Sequence, residues 1–250
     1  MLKNQYDYII CGGGASGLLL AYRICNDPYF KNRSLLLIEK ETKDRNDRTW
    51  CFWESGEGDL ESIVYKTWNH AYFNADDFEI DFSLQPFRYK MIRSLDFYRS
   101  IKSKLSEFDQ LTQINESVSN IKDGWVTTEV QSYYGNMVFS SIYNLKSLLH
   151  QKKYPVLLQH FVGQVVQTHK PCFDPDKIEF MNFKVPQKGN TRFMYVLPLG
   201  PNKALLEYTL FSQNVLERKE YRDAIADFLQ ELPTGGYEIL EEEEGKIPMT

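Results

Sequence analysis

The sequence lacks any run of apolar residues long enough to cross a bilayer as a helix. The residues after Met1 also lack the charged and apolar segments of a secretory signal peptide, and a strand pattern begins almost at once. These absences predict a cytoplasmic protein rather than a secreted or membrane-spanning one. They do not argue against association with a membrane surface.

An excess of positive charge is missing as well, because 29 Lys and Arg stand against 34 Asp and Glu, giving a formal net charge of −5. Nucleic-acid binding needs a basic surface, so we expect no nucleic-acid partner. The chain has only four cysteines and four histidines, with neither a C-x-x-C pair nor the spacing of zinc ligands. We therefore expect reduced thiols and no metal site.

A glycine-rich motif is present near the N-terminus. Gly12, Gly14 and Gly17 form G-x-G-x-x-G between an apolar strand pattern and a helical pattern, and a second apolar strand pattern ends at Glu39. This order of elements is typical of a dinucleotide-binding βαβ unit, whose acidic residue follows roughly 20 residues after the glycines. The alternative is an ordinary glycine turn in an α/β protein.

In a dinucleotide-binding unit each of these residues has a separate task. Gly12 allows the tight turn, Gly14 lets the backbone approach a pyrophosphate, and Gly17 lets the helix pack closely on the strand. The helix N-terminus offers N–H groups and a positive dipole end to the phosphates, and Glu39 accepts hydrogen bonds from the adenosine ribose. The predicted cofactor-binding residues are Gly12, Gly14, Ala15, Gly17 and Glu39.

Two helices and a series of strands are predicted further along the chain. Ser94 is placed to cap a helix whose apolar stripe runs to Phe108, and a second helix carries a stripe from Tyr221 to Leu232. Residues 155–211 read as strand after strand, which predicts a mostly antiparallel sheet. The predicted fold class is α/β, with a Rossmann-like FAD/NAD(P)-binding domain and a mostly antiparallel β-sheet substrate domain.

These patterns also predict the domain boundaries. We assign residues 1–70 and 95–148 to a discontinuous FAD-binding domain and residues 71–94 and 149–240 to the substrate-binding sheet domain. Residues 241–250 are interpreted as the start of a return to the FAD domain. A nucleotide domain with only two or three parallel strands lacks a C-terminal half, so we expect the chain to be a C-terminally truncated fragment.

One carboxyl group stands out in the sheet domain. Alternation along residues 204–211 places Glu207 on a largely apolar strand face. Burial among apolar groups raises a carboxyl pKa, so such a residue can hold a proton at neutral pH and act as an acid. The alternative is a structural glutamate paired with Arg192 or Lys203 across the hairpin, and the pattern taken alone favours that ion pair.

Seven segments, in order along nearly the whole chain, resemble successive motifs of the bacterial lycopene cyclase family. They are residues 7–17, 48–53, 158–163, 181–187, 192–198, 206–209 and 247–249. The glycine motif is common to many flavoproteins, whereas the strand pair ending in Leu-Glu-Tyr-Thr is far more specific to this family.

The resemblance implies a flavoprotein that performs an acid-catalysed, non-redox cyclisation. Its substrate would be lycopene or a related linear carotenoid, whose ends become β-ionone rings, and its cofactor would be reduced FAD with NAD(P)H as the ultimate reductant. Glu207 matches the family's acid in the Leu-Glu-x-Thr motif. A lipid-soluble substrate also implies peripheral association with a membrane.

The chain departs from the family pattern at two places. Some members have a second acid where this chain has Tyr208, and related sequences often have an aspartate where it has Ser140 and Ser141. Cation–π stabilisation of a carbocation is assigned as a candidate role to Tyr195, Tyr208 or Trp50. Two other functions stay open: a flavin-dependent hydroxylase or dehydrogenase acting on an apolar substrate, and a non-catalytic flavin- or lipid-binding protein.

Overall fold

The computed structural model divides into two compact units. Unit 1 comprises Met1–Asp47 and Arg93–Asn144, and unit 2 comprises Arg48–Ile92 and Leu145–Thr250. The structure describes residues 4–143, 148, 150, 153–154 and 156–249.

Strands outnumber helices along the described chain. In chain order the elements are β1 (Gln5–Cys11), α1 (Ala15–Asn26), β2 (Leu35–Ile38), β3 (Thr49–Glu54), β4 (Val64–Trp68), β5 (His70–Ala75), β6 (Phe78–Ser83), β7 (Arg88–Arg93), α2 (Ser94–Leu105), β8 (Leu111–Ile114), β9 (Val118–Lys122), β10 (Trp125–Thr128), β11 (Ser132–Ser140), β12 (Leu157–Thr168), β13 (Lys177–Asn182), β14 (Thr191–Gly200), β15 (Lys203–Ser212), α3 (Arg218–Gln230) and β16 (Tyr237–Met249).

Unit 1 contains a six-stranded sheet in the order β8-β2-β1-β11-β10-β9. The first four strands run parallel, whereas β10 and β9 form an antiparallel extension. All four residues of β2 are buried, as expected for a parallel strand covered on both faces. Helix α1 leaves the carboxyl end of β1 and packs against α2. This arrangement confirms the predicted Rossmann-like part of the fold.

Unit 2 contains a seven-stranded sheet in the order β16-β12-β15-β14-β13-β5-β6 and a three-stranded sheet in the order β3-β7-β4. The large sheet is antiparallel except where β13 runs parallel to β5. The prediction of a mostly antiparallel sheet is therefore confirmed.

The two faces of the large sheet are covered by different elements. On one face, Val162, Leu206 and Leu210 form a buried cluster with Ile225 of α3. On the other face, Val165 and Leu205 form a cluster with Trp68 and Met91, which belong to the strands of the small sheet. Successive residues of a strand point to opposite faces, so the central strands β12, β14 and β15 contribute to both clusters.

The structural division differs from the predicted boundaries at residues 93–94, which lie in unit 1, and in two longer segments. Residues 48–70 lie in unit 2, because β3 and β4 form a sheet with β7. Residues 241–249 also lie in unit 2, since β16 pairs along the whole of β12 instead of leaving the sheet domain. Backbone pairing of this kind leaves no local sequence signal. The border predicted between residues 148 and 149 involves residue 149, which, like residues 144–147, lies outside the described residues.

Both predicted helices exist, with shorter boundaries. Helix α2 begins at Ser94 itself, and the Ser94 hydroxyl accepts a hydrogen bond from the Asp47 backbone N–H at 2.9 Å rather than capping the helix. Helix α2 ends before Phe108, and α3 ends before Leu232. Throughout the described ranges, every helix is too short or too polar to cross a membrane.

Candidate functional site

The glycine loop of unit 1 connects β1 to α1. Gly12 has a φ of +106°, and a Cβ there would come within 2.2 Å of Ser141 Oγ. A Cβ on Gly17 would come within 1.9 Å of the Gly12 carbonyl oxygen. Ser141 holds the neighbouring strand end by donating its backbone N–H to Cys11 O at 3.0 Å. Gly12 and Gly17 are therefore required by the packing of the loop itself.

Gly14 differs from these two glycines. It lies at the N-cap of α1 with a φ of −76°, a conformation open to any residue, and a Cβ there would meet no described heavy atom within 4 Å. Among the described residues, no side chain caps α1 and no acidic side chain lies in its first turn, which begins at Ala15. Open space beside an uncapped helix N-terminus suits a phosphate group.

Glu39 is held against this loop. Its Oε2 accepts the Gly13 backbone N–H at 2.6 Å, and its Oε1 accepts the Glu41 backbone N–H at 3.0 Å. A carboxylate can accept about four hydrogen bonds, so acceptor capacity remains for ribose hydroxyls. The structure thus brings the predicted cofactor residues together and adds Gly13, where a Cβ would lie 2.8 Å from Glu39 Cβ. The sequence reasoning missed this contact.

In unit 2, a row of four residues crosses the large sheet around Glu207. Glu207 on β15 pairs with Tyr195 on β14 and with Gly163 on β12, and Gly163 pairs in turn with Glu243 on β16. Directly paired residues share a face of a sheet. A Cβ on Gly163 would lie 3.4 Å from Glu243 Cγ and 3.7 Å from Glu207 Cβ. Glu207 and Glu243 therefore face each other across a residue that has no side chain.

The surroundings of Glu207 favour its protonated form. Burial raises the pKa of Glu207 to about 7, the negative charge of Glu243 adds to that rise, and a hydrogen bond from Thr209 Oγ1 to Glu207 Oε1 at 2.8 Å opposes it. Thr49 Oγ1 donates to Glu243 Oε2 at 2.9 Å and so fixes the second carboxyl group.

The alternative of a structural ion pair is not observed. In the described part of the chain Glu207 has no cationic partner, and Arg192 donates instead to the hydroxyl of Tyr208 at 3.3 Å. Cys51, Tyr89 and Tyr195 are uncharged groups near Glu207. Burial raises the pKa of the Cys51 thiol and of the Tyr89 hydroxyl, which hydrogen-bond each other, and raises the pKa of Tyr195 to about 12.

Aromatic rings lie on the same side of the large sheet as Glu207. The ring of Tyr195 is 5.6 Å from that of Phe180, which is 5.8 Å from Tyr89. Trp53 lies 4.7 Å from Tyr89 and 5.5 Å from Phe180 between ring centroids. These rings form an aromatic cluster on the Glu207 face of the sheet, and the faces of aromatic rings attract cations.

Two of the three predicted cation–π candidates are corrected by the strand geometry. Tyr208 points to the opposite face, where its ring lies 6.4 Å from Tyr221 of α3. Trp50 lies on the opposite face of β3 from its neighbour Cys51, because successive strand residues alternate. Tyr195 keeps its predicted position on the Glu207 face. The sequence reasoning missed Tyr89 and Phe180, which lie on strands distant in sequence from Glu207.

Two cavities of unit 2 lie between α3 and the large sheet, on the face opposite Glu207. Their volumes are about 530 and 260 Å³, and both are lined by Glu179 and Phe228. Burial raises the pKa of Glu179, and Asn182 Nδ2 donates to its Oε2 at 3.1 Å. These cavities are separated from Glu207 by the sheet itself.

Comparison with known sequences gives two findings. Residues 7–250 match the family described as lycopene cyclase protein. The chain is 23% identical to a lycopene beta-cyclase of Pantoea ananas over 272 residues, an alignment that includes 100% of this chain and 64% of that protein. The chain thus spans less than two thirds of the length of this relative.

Comparison with solved structures shows the fold. A geranylgeranyl bacteriochlorophyll reductase-like protein from Thermoplasma acidophilum superposes with a TM-score of 0.68 at 14% identity, over 98% of this chain and 66% of that one. The flavin-dependent brominase Bmp2 gives 0.63 at 15% identity, over 98% and 67%. PqsL of Pseudomonas aeruginosa, described as a probable FAD-dependent monooxygenase, gives 0.61 at 14% identity, over 95% and 73%.

Proposed function

The chain belongs to the lycopene cyclase family, and we propose that it carries out the ring closure of linear carotenoid ends as a lycopene β-cyclase. The observation that supports this function is the Glu207 carboxyl group, whose pKa is raised to about 7, on an apolar and aromatic sheet face. A carboxylic acid that keeps its proton near neutral pH is the catalyst that an alkene protonation requires.

The proposed reaction needs no oxidant and no reductant in its balance. Glu207 donates its proton to the terminal trisubstituted double bond, which leaves a tertiary carbocation. The neighbouring double bond attacks that cation and closes a six-membered ring, and loss of a ring proton forms the β-ionone double bond. One proton is gained and one is lost, so the product is an isomer of the substrate and the enzyme is an isomerase.

The side chains around Glu207 suit the charge that develops in this reaction. Tyr195, Tyr89 and Trp53 present aromatic rings, each able to contribute about 0.5–2 kcal/mol of cation–π attraction. In the described part of the chain, no lysine or arginine pairs with Glu207, so no neighbouring ion pair competes with the carbocation. Reduced FAD, when bound, supplies a negatively charged ring system that stabilises positive charge electrostatically.

We assign the adenosine and pyrophosphate part of FAD to the glycine loop of unit 1. Gly12 forms the turn, Gly14 and the α1 N-terminus at Ala15 approach the pyrophosphate, Gly17 lets α1 pack closely, and Glu39 accepts from the ribose. The open space at Gly14 and the anchored Glu39 carboxylate support this assignment. NAD(P)H is the proposed ultimate reductant of the flavin.

The protein is proposed to work in the cytoplasm at a membrane surface. A linear C40 carotenoid partitions into lipid, so an enzyme that takes it up must reach the bilayer. Exposed apolar side chains on unit 2, among them Phe78, Ile80 and Phe87, support such contact.

The decisive experiment incubates the FAD-loaded protein with lycopene under reducing conditions and identifies the hydrocarbon products. We expect products with the mass of lycopene and one or two closed rings, with no NAD(P)H consumed in proportion to product. A flavin-dependent hydroxylase or dehydrogenase would instead change the mass of the substrate and consume reductant or oxidant with each turnover. Unchanged lycopene with bound FAD would indicate the non-catalytic alternative.

A further inference from the structure

A continuous series of aromatic rings leads away from the acid site along the same sheet face. Starting at Tyr195, which pairs with Glu207, the centroid distances are 5.1 Å to Phe193, 5.3 Å from Phe193 to Phe183, 5.6 Å from Phe183 to Phe73, and 6.0 Å from Phe73 to Phe78. We call these five residues the aromatic strip. Every step is within the distance at which aromatic rings contact one another.

The aromatic strip crosses the large sheet from its centre to its edge. Tyr195 and Phe193 lie on β14, Phe183 directly follows β13, and Phe73 lies on β5. Phe78 lies on β6, the edge strand, where it pairs with Ala75 beside the pair of Ile80 and Phe73. Neighbouring strands are about 4.8 Å apart, so the four steps from β15 to β6 span roughly 19 Å.

From Phe193 outward, exposure increases toward the sheet edge. Phe193 is buried, Phe183 and Phe73 are half-buried, and Phe78 at the edge is 54% exposed. The charged residues of β6 alternate onto the other face, where Glu79 pairs with Lys184 and Asp81 pairs with Lys177. The face that carries the aromatic strip is therefore free of these charges and opens at the sheet edge.

We propose that the aromatic strip binds the polyene chain of the substrate while the end of that chain meets Glu207. This inference rests on the proposed function, because it assigns a binding surface to the same substrate. A flat conjugated hydrocarbon has no hydrogen-bonding group, so only apolar and aromatic surface can hold it. The strip offers such surface in one line from the acid to the edge strand, where Phe78 is exposed.

The first test separates chain binding from chemistry at the ring-forming end. Phe183→Ala and Phe78→Ala are assayed with lycopene and with a linear isoprenoid of about half its length that has the same terminal group. We expect KM for lycopene to rise about tenfold in Phe183→Ala, the effect of losing about 1.4 kcal/mol of binding, with kcat preserved. KM for the short substrate stays unchanged. Trp125→Ala, which removes a 49% exposed aromatic of unit 1, is the matched control.

The second test measures binding without turnover. Trp53, one of four tryptophans, lies 5.5 Å from Phe180, which contacts Tyr195, so a polyene bound next to the strip should quench the Trp53 part of the tryptophan fluorescence. Lycopene in detergent micelles is titrated into the oxidised protein, and the quenching of fluorescence is followed. Both strip variants should need a higher lycopene concentration for half-maximal quenching than Trp125→Ala does. Phe78 is exposed, so Phe78→Ala keeps the fold and protects the test against misfolding of Phe183→Ala.

The outcomes distinguish the two proposals. The strip assignment is overturned, and the function is left intact, if the wild type cyclises lycopene but all variants have the same KM. The same holds if KM rises equally for the long and the short substrate. Strip-dependent quenching without any cyclisation overturns the function and retains the binding surface. Variants that change oligomeric state instead of affinity show that the strip contacts a second copy of the chain, which also overturns the assignment.

Discussion

Replacing Glu243 by Gln should lower the pKa of Glu207 and shift the pH dependence of catalysis. The negative charge of Glu243 contributes to the raised pKa of Glu207, which is about 7. The two residues are two strands apart, about 10 Å, and at an effective dielectric constant of about 20 unit charges at that distance interact by about 1.7 kcal/mol. Solvent and salt reduce this energy, so we expect a decrease of about one pKa unit.

The sign of the effect follows from the reactive form. In the proposed mechanism the protonated form of Glu207 is the catalyst, so activity should fall as the pH rises through its pKa, which is about 7 in the wild type. The alkaline limb of kcat/KM should therefore lie near pH 7 in the wild type and about one pH unit lower in Glu243→Gln. Infrared titration of the protonated carboxyl group gives the same pKa without turnover.

Glu244→Gln is the matched control for this experiment. It removes the same charge from the next residue of β16, but Glu244 lies on the α3 face, where its Oε2 accepts from Arg218 Nε at 2.8 Å. Its alkaline limb should coincide with that of the wild type. Coincident limbs in the wild type and Glu243→Gln, or equal shifts in both variants, would refute the proposed interaction across Gly163.

Further predictions concern the acid, the cofactor loop, the opposite sheet face and the membrane. Glu207→Gln should reduce cyclisation at least ~10²-fold, and a rate near that of the wild type would return Glu207 to a structural role. Because the folded state resists ionisation of Glu207 between its ordinary pKa of 4.5 and about 7, the same variant should gain thermal stability at pH 8, by up to about 3 kcal/mol, and none at pH 4. Gly14→Val should fold normally but lose FAD, measured by flavin absorbance after gel filtration, since its side chain fills only the space assigned to pyrophosphate; retained flavin would sink that assignment. Tyr208→Phe should have a mild effect on kcat, because Tyr208 faces α3, and a loss as large as that of Glu207→Gln would contradict its position. The protein should float with liposomes, and its absence from the lipid fraction at both low and high salt would argue for a water-soluble substrate.

The parts of the site that depend on local sequence could be predicted, and those that depend on strand register could not. The glycine loop is local, since Gly12, Gly14 and Gly17 lie within one turn and one helix start. Alternation along β15 was also sufficient to place Glu207 on an apolar face. The partners Glu243 and Tyr89 were missed, because β16 reaches Glu207 through its pairing with β12 and β7 does so through the packing of the small sheet on the large one, neither of which a local pattern encodes.

The domain borders were missed for a related reason. The segment 48–70 reads as a continuation of the nucleotide domain, because nothing in its aromatic and polar residues distinguishes a strand of one sheet from a strand of another. Taken alone, the run of four consecutive glutamates at 241–244 is typical of a solvated strand edge. In the structure it alternates, so that Glu242 pairs with Arg222 while Glu243 faces Glu207.

Because of this alternation, the four glutamates alone would let β16 pair with β12 in more than one register. Four consecutive glutamates look the same after a slip of one residue, yet such a slip would exchange the carboxyl group beside Glu207 for one that belongs to the α3 face. Gly245 removes the ambiguity, because it pairs with Phe161 and a Cβ there would penetrate the Phe161 ring at 2.4 Å. Only a residue without a side chain fits under that ring, so Gly245 fixes the register of β16 on β12 and thereby which glutamate lies beside Glu207.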